Sequence, residues 1–520
     1  MPNPKILWAD DEIALLKPHI LFLNQKGFEV KAVQNGHDAV HANAQDDFDV
    51  VFLDENMPGM NGLEVLNQIK QQKPHIPVVM ITKSEEEHIM EDAIGGQIAD
   101  YLIKPVNPNQ ILLSLKKLLD GKTLVSQKTN SAYQQDFRKI GMAFFESQSH
   151  EDWIDLYKKL IFWELELEKT VDKSMMEVLQ SQKAEANTNF SKFIMKNYTH
   201  WVNHKTDNRP TFSPEIMGQK VIPTLKNNPK STFFILVDCL RYDQWRVFES
   251  IIAPYFNIEE ESYFSILPTA TQYARNAIFA GLYPIEISQQ FPKLWLNDDD
   301  EGGKNLHEEE FFIAQLQRHK IYNAKTSFHK IIQNEDAWGL VENIQNLLHN
   351  SINIIVYNFI DLISHARTEM NLVKELAPDE AAFRSLSRSW FEHSSLLELL
   401  KKLREHDVRI FITTDHGTIR VKHPHKIIGD RATTTNLRYK QGKNLNYDKG
   451  RQIYGISNPA EIRLPKSNVS STYAFASEDY FFVYPNNYNY FANFYQGTFQ
   501  HGGISLEEMV LPFITLTPKK

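Results

Sequence analysis

Cysteine is almost absent from this chain, since Cys239 is the single one among 520 residues. One thiol excludes an intrachain disulfide and is typical of a protein that works in a reducing cytoplasm. No run of about 18 uninterrupted apolar residues occurs, so the sequence predicts no transmembrane helix and no membrane insertion. The N-terminus opens on a charged strand pattern, from which we expect no signal peptide and a cytoplasmic location.

An excess of positive charge is also lacking, because the formal net charge is −9. This balance argues against a DNA- or membrane-binding surface over the whole molecule, although a local basic patch stays possible. The composition, 42% hydrophobic and 23% charged, is that of a globular protein. A chain of 520 residues is long enough for two or three domains, each with its own core.

Short apolar runs in the N-terminal part predict buried strands, and each is followed at once by polar residues. The runs are 5–9, 49–53, 78–81 and 101–103, and the polar residues near their ends are Asp10, Asp11, Asp54, Asn56, Thr82 and Lys104. Helical patterns lie between the runs. This alternation is typical of a parallel sheet, in which the carboxyl ends of the strands meet at one edge.

Carboxylates gathered at this edge predict a magnesium site, because Mg²⁺ is bound by a few carboxylates together with waters. We assign this site to Asp10, Asp11, Asp54 and Asn56. Asp54 would accept a phosphoryl group as the nucleophile, with the metal and Lys104 holding the phosphoryl oxygens. Thr82 could bond the new phosphate, and its shift would let Tyr101 rotate inward as a two-state switch.

These residues resemble the receiver domain of bacterial two-component response regulators. The paired aspartates, the segment Leu-Asp-Glu-Asn-Met-Pro-Gly-Met-Asn-Gly and the segment Ile-Lys-Pro stand in that family's order over roughly residues 1–122. The resemblance implies a flavodoxin-like fold, bound Mg²⁺, phosphorylation on Asp54 by a sensor histidine kinase, and a homodimer after phosphorylation. It also implies a cis peptide bond between Lys104 and Pro105.

The region 123–208 contains helical patterns and no strand pattern. Its clearest feature is an apolar stripe at spacings of three and four, formed by Trp153, Leu156, Leu160, Trp163 and Leu167. Such a stripe predicts an amphipathic helix. We therefore expect a helical linker bundle here, with the stripe packed in a core, although a partner surface is the alternative.

Three further apolar runs, 233–238, 354–365 and 410–416, contain acidic and imidazole residues at or near their ends. Continuous Val/Ile/Phe runs predict buried parallel strands, and ligands of open α/β sheets lie beyond the carboxyl ends of such strands. The residues brought to this edge are Asp238, Asp361, His365, Asp415 and His416, and a later loop could add His501. Carboxylates and neutral imidazoles suit borderline divalent metals, zinc above all.

A hydroxyl nucleophile completes this set. Thr269 and Thr271 lie in a turn that leads into a predicted helix. Backbone amides at a helix N-terminus favour an anion, and a metal-bound hydroxyl becomes a nucleophile. Three aspartates, three histidines and a hydroxyl suit two zinc ions about 4 Å apart. Which threonine attacks stays open, and Arg275 could stabilise charge on the phosphoryl oxygens.

The order Asp…Thr…Asp-x₃-His…Asp-His…His resembles the alkaline phosphatase superfamily and, within it, the PglZ domain, over residues 209–520. The resemblance implies a doubly wound α/β domain in which one zinc ion is bound by Asp361, His365 and His501. It implies that the second is bound by Asp238, Thr271, Asp415 and His416, and it favours Thr271 as the nucleophile. The whole chain resembles the PorX-type response regulators of type IX secretion systems, which are associated with a sensor kinase and an extracytoplasmic-function sigma factor.

A basic segment follows directly from one of the predicted metal-bearing strand ends. It contains Arg420, Lys422, His423, His425, Lys426, Arg431, Arg438, Lys440 and Lys443. Such a patch would steer a polyanion inward, although solvated surface is the plainer alternative. The predicted substrate contacts are Arg431, Asn436, Arg438 and Lys440, and the favoured substrate is an oligonucleotide or cyclic nucleotide phosphodiester. The acidic stretches 297–301 and 308–310 are expected to be a solvated insertion.

Two function classes remain open. In the first, phosphorylation of Asp54 controls a zinc-dependent phosphoesterase, with diesters favoured over monoesters. In the second, the C-terminal domain is a non-catalytic docking module with structural zinc, which binds a sigma factor or a secretion-system component when Asp54 is phosphorylated. Alanine at Thr271 would separate the two.

Overall fold

The computed structural model describes residues 3–83, 98–119, 121–147, 149–170, 173–206, 208–227, 230–369, 375, 377–430, 433–448, 450–466, 468 and 470–519. The chain divides into two compact units, Met1–Gln134 with Lys169–Met175, and Gln135–Glu168 with Met176–Lys520. The domain boundaries expected near residues 122 and 208 stay a prediction. No helix among the described residues is long and apolar enough to cross a membrane.

The first unit is built on a parallel sheet. Its strands are Lys5–Ala9, Glu29–Val33, Val50–Asp54, Val78–Thr82 and Asp100–Ile103. In space the second strand lies at one edge, beside the first, and the third, fourth and fifth follow in order. All the pairings are parallel. This strand order is that of flavodoxin-like folds, so the expected fold class is confirmed.

Helices connect these strands and cover both faces of the sheet. They are the 3₁₀ turn Ile13–Leu16 and the α-helices Lys17–Gln25, Gly36–Gln45, Gly62–Gln72 and Pro108–Leu119, and the helix Gly121–Glu146 follows them in the sequence. Two of them begin at asparagine caps, Asn35 and Asn61, whose side chains accept the free backbone N–H groups of the first turn. The central strands Val50–Asp54 and Val78–Thr82 are buried along their full length, as continuous apolar runs predict.

The second unit contains a six-stranded mixed sheet. Its strands in spatial order are Phe256–Phe264, Val510–Pro518, Arg409–Thr413, Thr232–Val237, Ile352–Tyr357 and Thr326–Ile331. The last four are mutually parallel, and Val510–Pro518 runs antiparallel to both its neighbours. Thr413 pairs with Leu236, and Val237 pairs with Tyr357. The carboxyl ends of three central strands therefore lie side by side.

Several α-helices of this unit lie between these strands in the sequence. They are Tyr242–Ile252, Thr271–Ala280, Pro284–Gln290, Glu308–Arg318, Asn334–Glu342, Ile344–Leu347, Phe359–Glu369, Glu380–Glu392, Ser395–Leu403, Tyr488–Tyr495 and Leu506–Met509. A short stretch before the sheet is the 3₁₀ turn Ser213–Glu215, the π-turn Met217–Val221 and the helix Ile222–Asn227, and a 3₁₀ turn lies at Pro459–Ile462. This α/β architecture confirms the second part of the expected fold class.

Small sheets follow the strand Arg409–Thr413. One pairs Ile419–Arg420 with Phe499–Gln500, a second joins Asn446–Tyr447, His423–Ile428 and Tyr480–Val483, and a third joins Tyr439–Gly442, Thr472–Ala476 and Ile453–Ile456. Of the residues of the basic segment, Arg420, His423, His425, Lys426 and Lys440 lie in these strands. The pairing of Ile419 with Gln500 brings the segment after His416 beside the segment before His501.

Two long helices, His150–Glu168 and Ser174–Asn203, complete the helical region. The predicted apolar stripe of the first is buried at every position, Trp153, Leu156, Leu160, Trp163 and Leu167, so core packing is the correct interpretation. In the second helix, the Asn187 side chain donates to Glu507 (2.9 Å) and accepts from the backbone N–H of Leu506 (2.8 Å). These contacts join the helix to the end of the α/β domain.

Candidate functional site

An acidic cluster lies at the carboxyl edge of the first unit's sheet. Carboxylate oxygens of Asp10, Asp11 and Asp54 lie within 4.8 Å of one another. Asp10 and Asp54 are buried, whereas Asp11 is exposed. The backbone N–H of Glu12 donates to Asp10 Oδ1 (2.8 Å), which orients that carboxylate. Converging carboxylates with access to solvent fit a hard divalent cation that keeps some of its waters.

Lys104 bridges two of these carboxylates, with Nζ 3.0 Å from Asp10 Oδ2 and 3.0 Å from Asp54 Oδ2. Burial and the neighbouring charge of Asp10 raise the pKa of Asp54, although the bond from Lys104 opposes this. Burial would lower the pKa of Lys104, but its bonds to Asp54 and Asp10 raise it above its ordinary value. The ammonium group is therefore held in its charged form beside the predicted phosphoacceptor.

The remaining receiver residues lie around this cluster. The Thr82 hydroxyl donates to Glu55 (2.7 Å), Tyr101 is half-buried and Asn56 is exposed. The peptide bond between Lys104 and Pro105 is cis, as expected. The phosphorylation, magnesium and switch roles of these residues stay predictions.

In the second unit, a tight turn follows the strand Thr232–Val237 and carries Asp238. Cys239 adopts a φ of 67°, which non-glycine residues rarely do and which is often found at functional sites. The backbone N–H of Cys239 lies 3.4 Å from Asp415 Oδ1, and that of Leu240 donates to Thr414 Oγ1 (3.0 Å). The turn therefore aligns Asp238 with the end of the neighbouring strand.

We call the group Asp238, Asp415 and His416 the deep cluster, because all three side chains are buried. Their ligand atoms lie within 4.8 Å of one another. His416 Nε2 is 3.7 Å from Asp238 Oδ1 and 3.8 Å from Asp415 Oδ2. The residue after His416 is Gly417. A Cβ at this position would lie 2.0 Å from the carbonyl oxygen of Glu507, so no larger residue fits there.

We call the group Asp361, His365 and His501 the mouth cluster, because it is more open. Asp361 and His365 lie one turn apart on the helix Phe359–Glu369, with His365 Nε2 3.4 Å from Asp361 Oδ1. His501 Nε2 lies 3.8 Å from the same oxygen. The His365 side chain is 58% exposed, so this cluster faces solvent. The two clusters meet where the rings of His416 and His501 stack at 4.2 Å.

His416, which is buried, and His501, which is partly buried, are both held in the form that binds metals. Nδ1 of His416 lies 3.2 Å from Gly417 O, and Nδ1 of His501 lies 3.2 Å from Thr269 O. A hydrogen on Nδ1 donates to each carbonyl, which leaves the Nε2 lone pair free to bind a metal. Burial lowers the pKa of His416 and lowers that of His501 well below its usual range. Both imidazoles are therefore neutral near pH 7.

The carboxylates of both clusters have oxygens that fit a cation. Among the described residues, neither Asp361 Oδ1 nor Asp415 Oδ2 has a hydrogen-bond partner, although both atoms are buried. Burial, followed by the charge of Asp238, raises the pKa of Asp361 to about 6 and that of Asp415 well above its usual range. Buried carboxylates with free oxygens beside neutral imidazoles are the donor set of a divalent metal site.

The structure separates the two candidate hydroxyls. Thr271 is the first residue of the helix Thr271–Ala280, and its Oγ1 lies 3.0 Å from His416 Nε2 and 3.5 Å from Asp238 Oδ1. The Thr269 hydroxyl instead donates to Gly503 O (2.8 Å) and accepts from the N–H of Gly502 (3.1 Å). Thr269 therefore fixes the loop after His501, and Thr271 faces the deep cluster.

Arg275 differs from expectation. Its Nη1 lies 2.5 Å from Asp238 Oδ2, and its Nε donates to Glu308 (2.6 Å). The guanidinium is thus paired with two buried carboxylates rather than turned toward a phosphoryl group, which favours a positioning role through Asp238. Glu308 is completely buried, so the expectation of a solvated stretch at 308–310 is wrong at its first residue. No local pattern in the sequence indicated this pairing.

Two of the predicted substrate contacts, Arg438 and Lys440, are buried and therefore not exposed to a substrate. Arg438 is completely buried and donates to both oxygens of Glu508, at 3.1 and 2.6 Å. Lys440 is also buried, donates to Thr434 O (2.8 Å), and burial lowers its pKa to about 7. The side-chain oxygen of Asn436 accepts hydrogen bonds from the backbone N–H groups of Arg438 (2.7 Å) and Tyr439 (3.1 Å). Arg431 lies outside the described residues.

The raised pKa of Asp361 predicts a pH-dependent effect on the metal-free protein. A carboxyl whose folded pKa lies above its unfolded value contributes stability below about pH 4, and this contribution is lost as the pH rises through about 6. Asp361→Asn removes the ionisation at nearly constant shape. It should therefore stabilise the chelator-treated protein at pH 7, by up to about 3 kcal/mol, and much less at pH 4.

Denaturant unfolding of both proteins in chelator, at the two pH values, measures this difference. Added Zn²⁺ should reverse the order at pH 7, because the ionised carboxylate of the unsubstituted protein then has a partner. An effect of equal size at both pH values would contradict the assignment of the loss to Asp361.

Fold and site together define a response regulator that has an alkaline-phosphatase-like output domain. Residues 216–516 match the family of BREX system PglZ alkaline phosphatase-like domains, and the chain belongs to this family. Residues 6–116 match the response regulator receiver domain, and residues 123–202 match the PorX response regulator linker domain. The order of the three domains is the PorX-type architecture, so the expected resemblance is confirmed. A receiver domain implies a cognate sensor kinase, and both domain families typically use divalent metals.

Curated relatives match over the receiver part. The transcriptional regulatory protein ResD of Bacillus subtilis is 31% identical over 115 residues, which are 22% of this chain and 48% of ResD. The alginate biosynthesis transcriptional regulatory protein AlgB of Pseudomonas syringae is 35% identical over 120 residues, 23% of this chain and 27% of AlgB. The match thus spans less than half the length of either relative.

Solved structures match the same part. The chemotaxis protein CheY4 of Vibrio cholerae is 31% identical, with a TM-score of 0.21, over 22% of this chain and 98% of that protein. The response regulator TrrA of Thermotoga maritima, solved in complex with Mg²⁺ and BeF, is 28% identical, with a TM-score of 0.21, over 22% of this chain and 99% of that protein.

Proposed function

We propose that this chain is a response regulator phosphorylated on Asp54 whose output is a zinc-dependent phosphodiesterase. The observation that carries the proposal is the position of the Thr271 hydroxyl. It lies against the deep cluster, 3.0 Å from His416 Nε2, and His416 in turn stacks on His501 of the mouth cluster. A nucleophile beside two metal-binding groups is the arrangement that phosphoryl transfer through a covalent enzyme intermediate requires.

The deep cluster and the mouth cluster would each bind one zinc ion, with Thr271 beside the deep one. Bound zinc would activate an oxygen nucleophile and neutralise charge on the phosphoryl oxygens. Thr271 Oγ forms a bond to phosphorus while the bond between phosphorus and the leaving oxygen breaks, and the proton that the hydroxyl loses ends on that oxygen, which leaves as an alcohol. The N-terminus of the helix Thr271–Ala280 favours the anionic group there. The oxygen of a water molecule then forms a bond to phosphorus while the bond between phosphorus and Oγ breaks, and one proton of that water ends on Oγ, which releases the product and restores the hydroxyl.

Preference for diesters follows from the pairing of Arg275. A monoester presents two negative charges on the transferred group, and an additional cation usually holds the second. Arg275 is already paired with Asp238 and Glu308, so its charge is largely neutralised within the protein. A diester, with one charge on the phosphoryl group, needs no such cation.

Nucleotide phosphodiesters, as oligonucleotides or cyclic nucleotides, are the proposed substrate class. Lys422, Lys426 and Lys443 of the basic segment remain exposed, although Arg438 and Lys440 do not. Exposed cations near the segment that carries His416 would raise the local concentration of a polyanion. Arg431 and Asn436 stay candidate contacts.

Regulation is proposed from the architecture. Phosphorylation of Asp54 by a sensor histidine kinase would promote a homodimer and thereby change the output activity. The match to the PorX response regulator linker domain supports a role in type IX protein secretion, with an extracytoplasmic-function sigma factor and secretion-system components as further partners.

Metal analysis combined with a substrate panel tests the proposal. We expect about two zinc ions per chain in the C-terminal clusters, by elemental analysis of protein purified without chelator. Bis(p-nitrophenyl) phosphate, dinucleotides and cyclic dinucleotides should be hydrolysed faster than p-nitrophenyl phosphate, and chelator should stop all turnover. Hydrolysis that persists after complete metal removal would refute the proposed zinc-dependent activity. A preference for the monoester would refute the proposed substrate class.

A further inference from the structure

Four ionised side chains of alternating sign form a row that starts at the deep cluster. Asp238 Oδ2 lies 2.5 Å from Arg275 Nη1, and Arg275 Nε lies 2.6 Å from Glu308 Oε1. Glu308 Oε2 lies 2.6 Å from Lys330 Nζ. We call Asp238, Arg275, Glu308 and Lys330 the charge row. Among the residues that the structure describes, neither Glu308 nor Lys330 forms an ion pair with a predicted metal ligand, so they act through Arg275.

The charge row is shielded from water. The side chains of Asp238, Arg275 and Glu308 are 3%, 4% and 0% exposed, and only Lys330 reaches solvent, at 25%. Charges at these distances in a protein interior interact several times more strongly than on the surface. Burial would lower the pKa of Arg275, but Glu308 and Asp238 raise it, so the guanidinium stays charged.

The members of the charge row come from four separate elements. Asp238 follows the strand Thr232–Val237, Arg275 is on the helix Thr271–Ala280, Glu308 begins the helix Glu308–Arg318, and Lys330 is on the strand Thr326–Ile331. Lys330 also donates to Asn305 O, and the Asn305 side chain donates to Thr271 O (3.0 Å). The row therefore connects the metal ligand Asp238 with the start of the helix that carries the nucleophile.

We propose that Glu308 and Lys330 are positioning residues that set the zinc affinity of the deep cluster through Arg275. This inference rests on the proposed function, since it concerns the same metal site. Arg275 holds Asp238 Oδ2 and leaves Oδ1 toward His416 and Thr271. Its positive charge also makes Asp238 a weaker ligand. Glu308 offsets that charge, and Lys330 in turn offsets the charge of Glu308.

Because the charges alternate in sign along the row, Glu308 and Lys330 should have opposite effects on the zinc affinity of the deep cluster. Without the charge of Glu308, the full charge of Arg275 acts on Asp238, and zinc binding should weaken. Without the charge of Lys330, Glu308 neutralises Arg275 more completely, and zinc binding should stay equal or become tighter. If Glu308 and Lys330 served only to stabilise the fold, both substitutions should weaken zinc binding, because each of them removes the same buried ion pair.

The experiment is a zinc competition titration of the full-length protein against a chromophoric chelator, with no substrate present. Glu308→Gln should weaken one of the two zinc sites by about tenfold or more, in the range that supporting residues of metal sites show. Lys330→Met should bind zinc at least as tightly as the unsubstituted protein. Glu309→Gln, on the exposed next residue of the same helix, is the matched control and should change nothing.

Equal weakening by Glu308→Gln and Lys330→Met would overturn the proposal, and so would zinc binding by Glu308→Gln that matches the control. If Glu308→Gln does not fold, Lys330→Met still decides, because weaker binding there contradicts the predicted sign and equal or tighter binding supports it. The proposed function fails separately: zinc shifts with the expected signs in a protein that hydrolyses no diester would leave the charge row standing. Normal hydrolysis of diesters by a protein whose variants show unchanged zinc affinities would support the proposed function and contradict the role of the charge row.

Discussion

Replacing Thr271 by alanine should abolish hydrolysis of bis(p-nitrophenyl) phosphate, with a loss of about three orders of magnitude or more in kcat. The physical reason is that the neighbouring threonine, Thr269, cannot take its place. Thr271 Oγ1 faces the deep cluster at 3.0 Å from His416 Nε2, whereas the Thr269 hydroxyl is engaged with the backbone of Gly502 and Gly503. The measurement is steady-state turnover of the zinc-loaded protein.

Thr271→Ser is the matched variant, since it keeps the oxygen and removes only the methyl group, and it should retain most of the turnover. Zinc content should remain about two per chain in both variants, because the aspartates and histidines stay in place. Unchanged turnover in Thr271→Ala would end the enzyme proposal. It would favour the alternative of a docking module whose zinc is structural. Measuring whether both variants bind the sigma factor or a secretion component would then test that alternative.

The geometry of the site could be predicted because it depends on a general property of parallel sheets. Apolar runs identified the beginnings of the strands Thr232–Val237, Ile352–Tyr357 and Arg409–Thr413 to within two residues, although the runs 354–365 and 410–416 extend past the ends of their strands. Once these strands are parallel neighbours, Asp238 and Asp415 must lie at one edge, whatever the length of chain between them. Asp361 and His365 needed only the helical spacing of four. The same argument brought Asp10 and Asp54 together in the receiver.

The errors concern charged residues whose partners are far away in the sequence. Arg438 is part of a basic segment by composition, but Glu508, which neutralises it, follows 70 residues later. Glu308 belongs to an acidic stretch, yet Arg275 and Lys330 hold it in the interior. A local charge pattern shows which groups are ionisable. It does not show which of them are paired, and pairing decides whether a charge is buried or available to a substrate.

Treatment of the receiver with acetyl phosphate and Mg²⁺ should produce an acid-stable, base-labile acyl phosphate on Asp54, and Asp54→Ala should remove the label completely. Asp54 attacks phosphorus, the bond from phosphorus to the acetate oxygen breaks, and acetate leaves. Lys104, 3.0 Å from both Asp10 and Asp54, would hold a phosphoryl oxygen. Burial raises the pKa of Asp54, and a bound cation would favour its ionised form and hold the phosphoryl oxygens. Labelling should therefore fall to background without Mg²⁺.

Asp47→Ala is the matched control, because Asp47 is a fully exposed carboxylate of the same domain and its loss should leave the label unchanged. Labelled protein should also double its molar mass in light scattering, whereas Asp54→Ala should not. Label that persists in Asp54→Ala would place the phosphoryl group on another residue and refute the assignment. Full labelling without any change in mass would keep Asp54 as the acceptor and exclude dimer formation as the route from the phosphate to the zinc site. In that case the signal would have to reach the output domain within one chain.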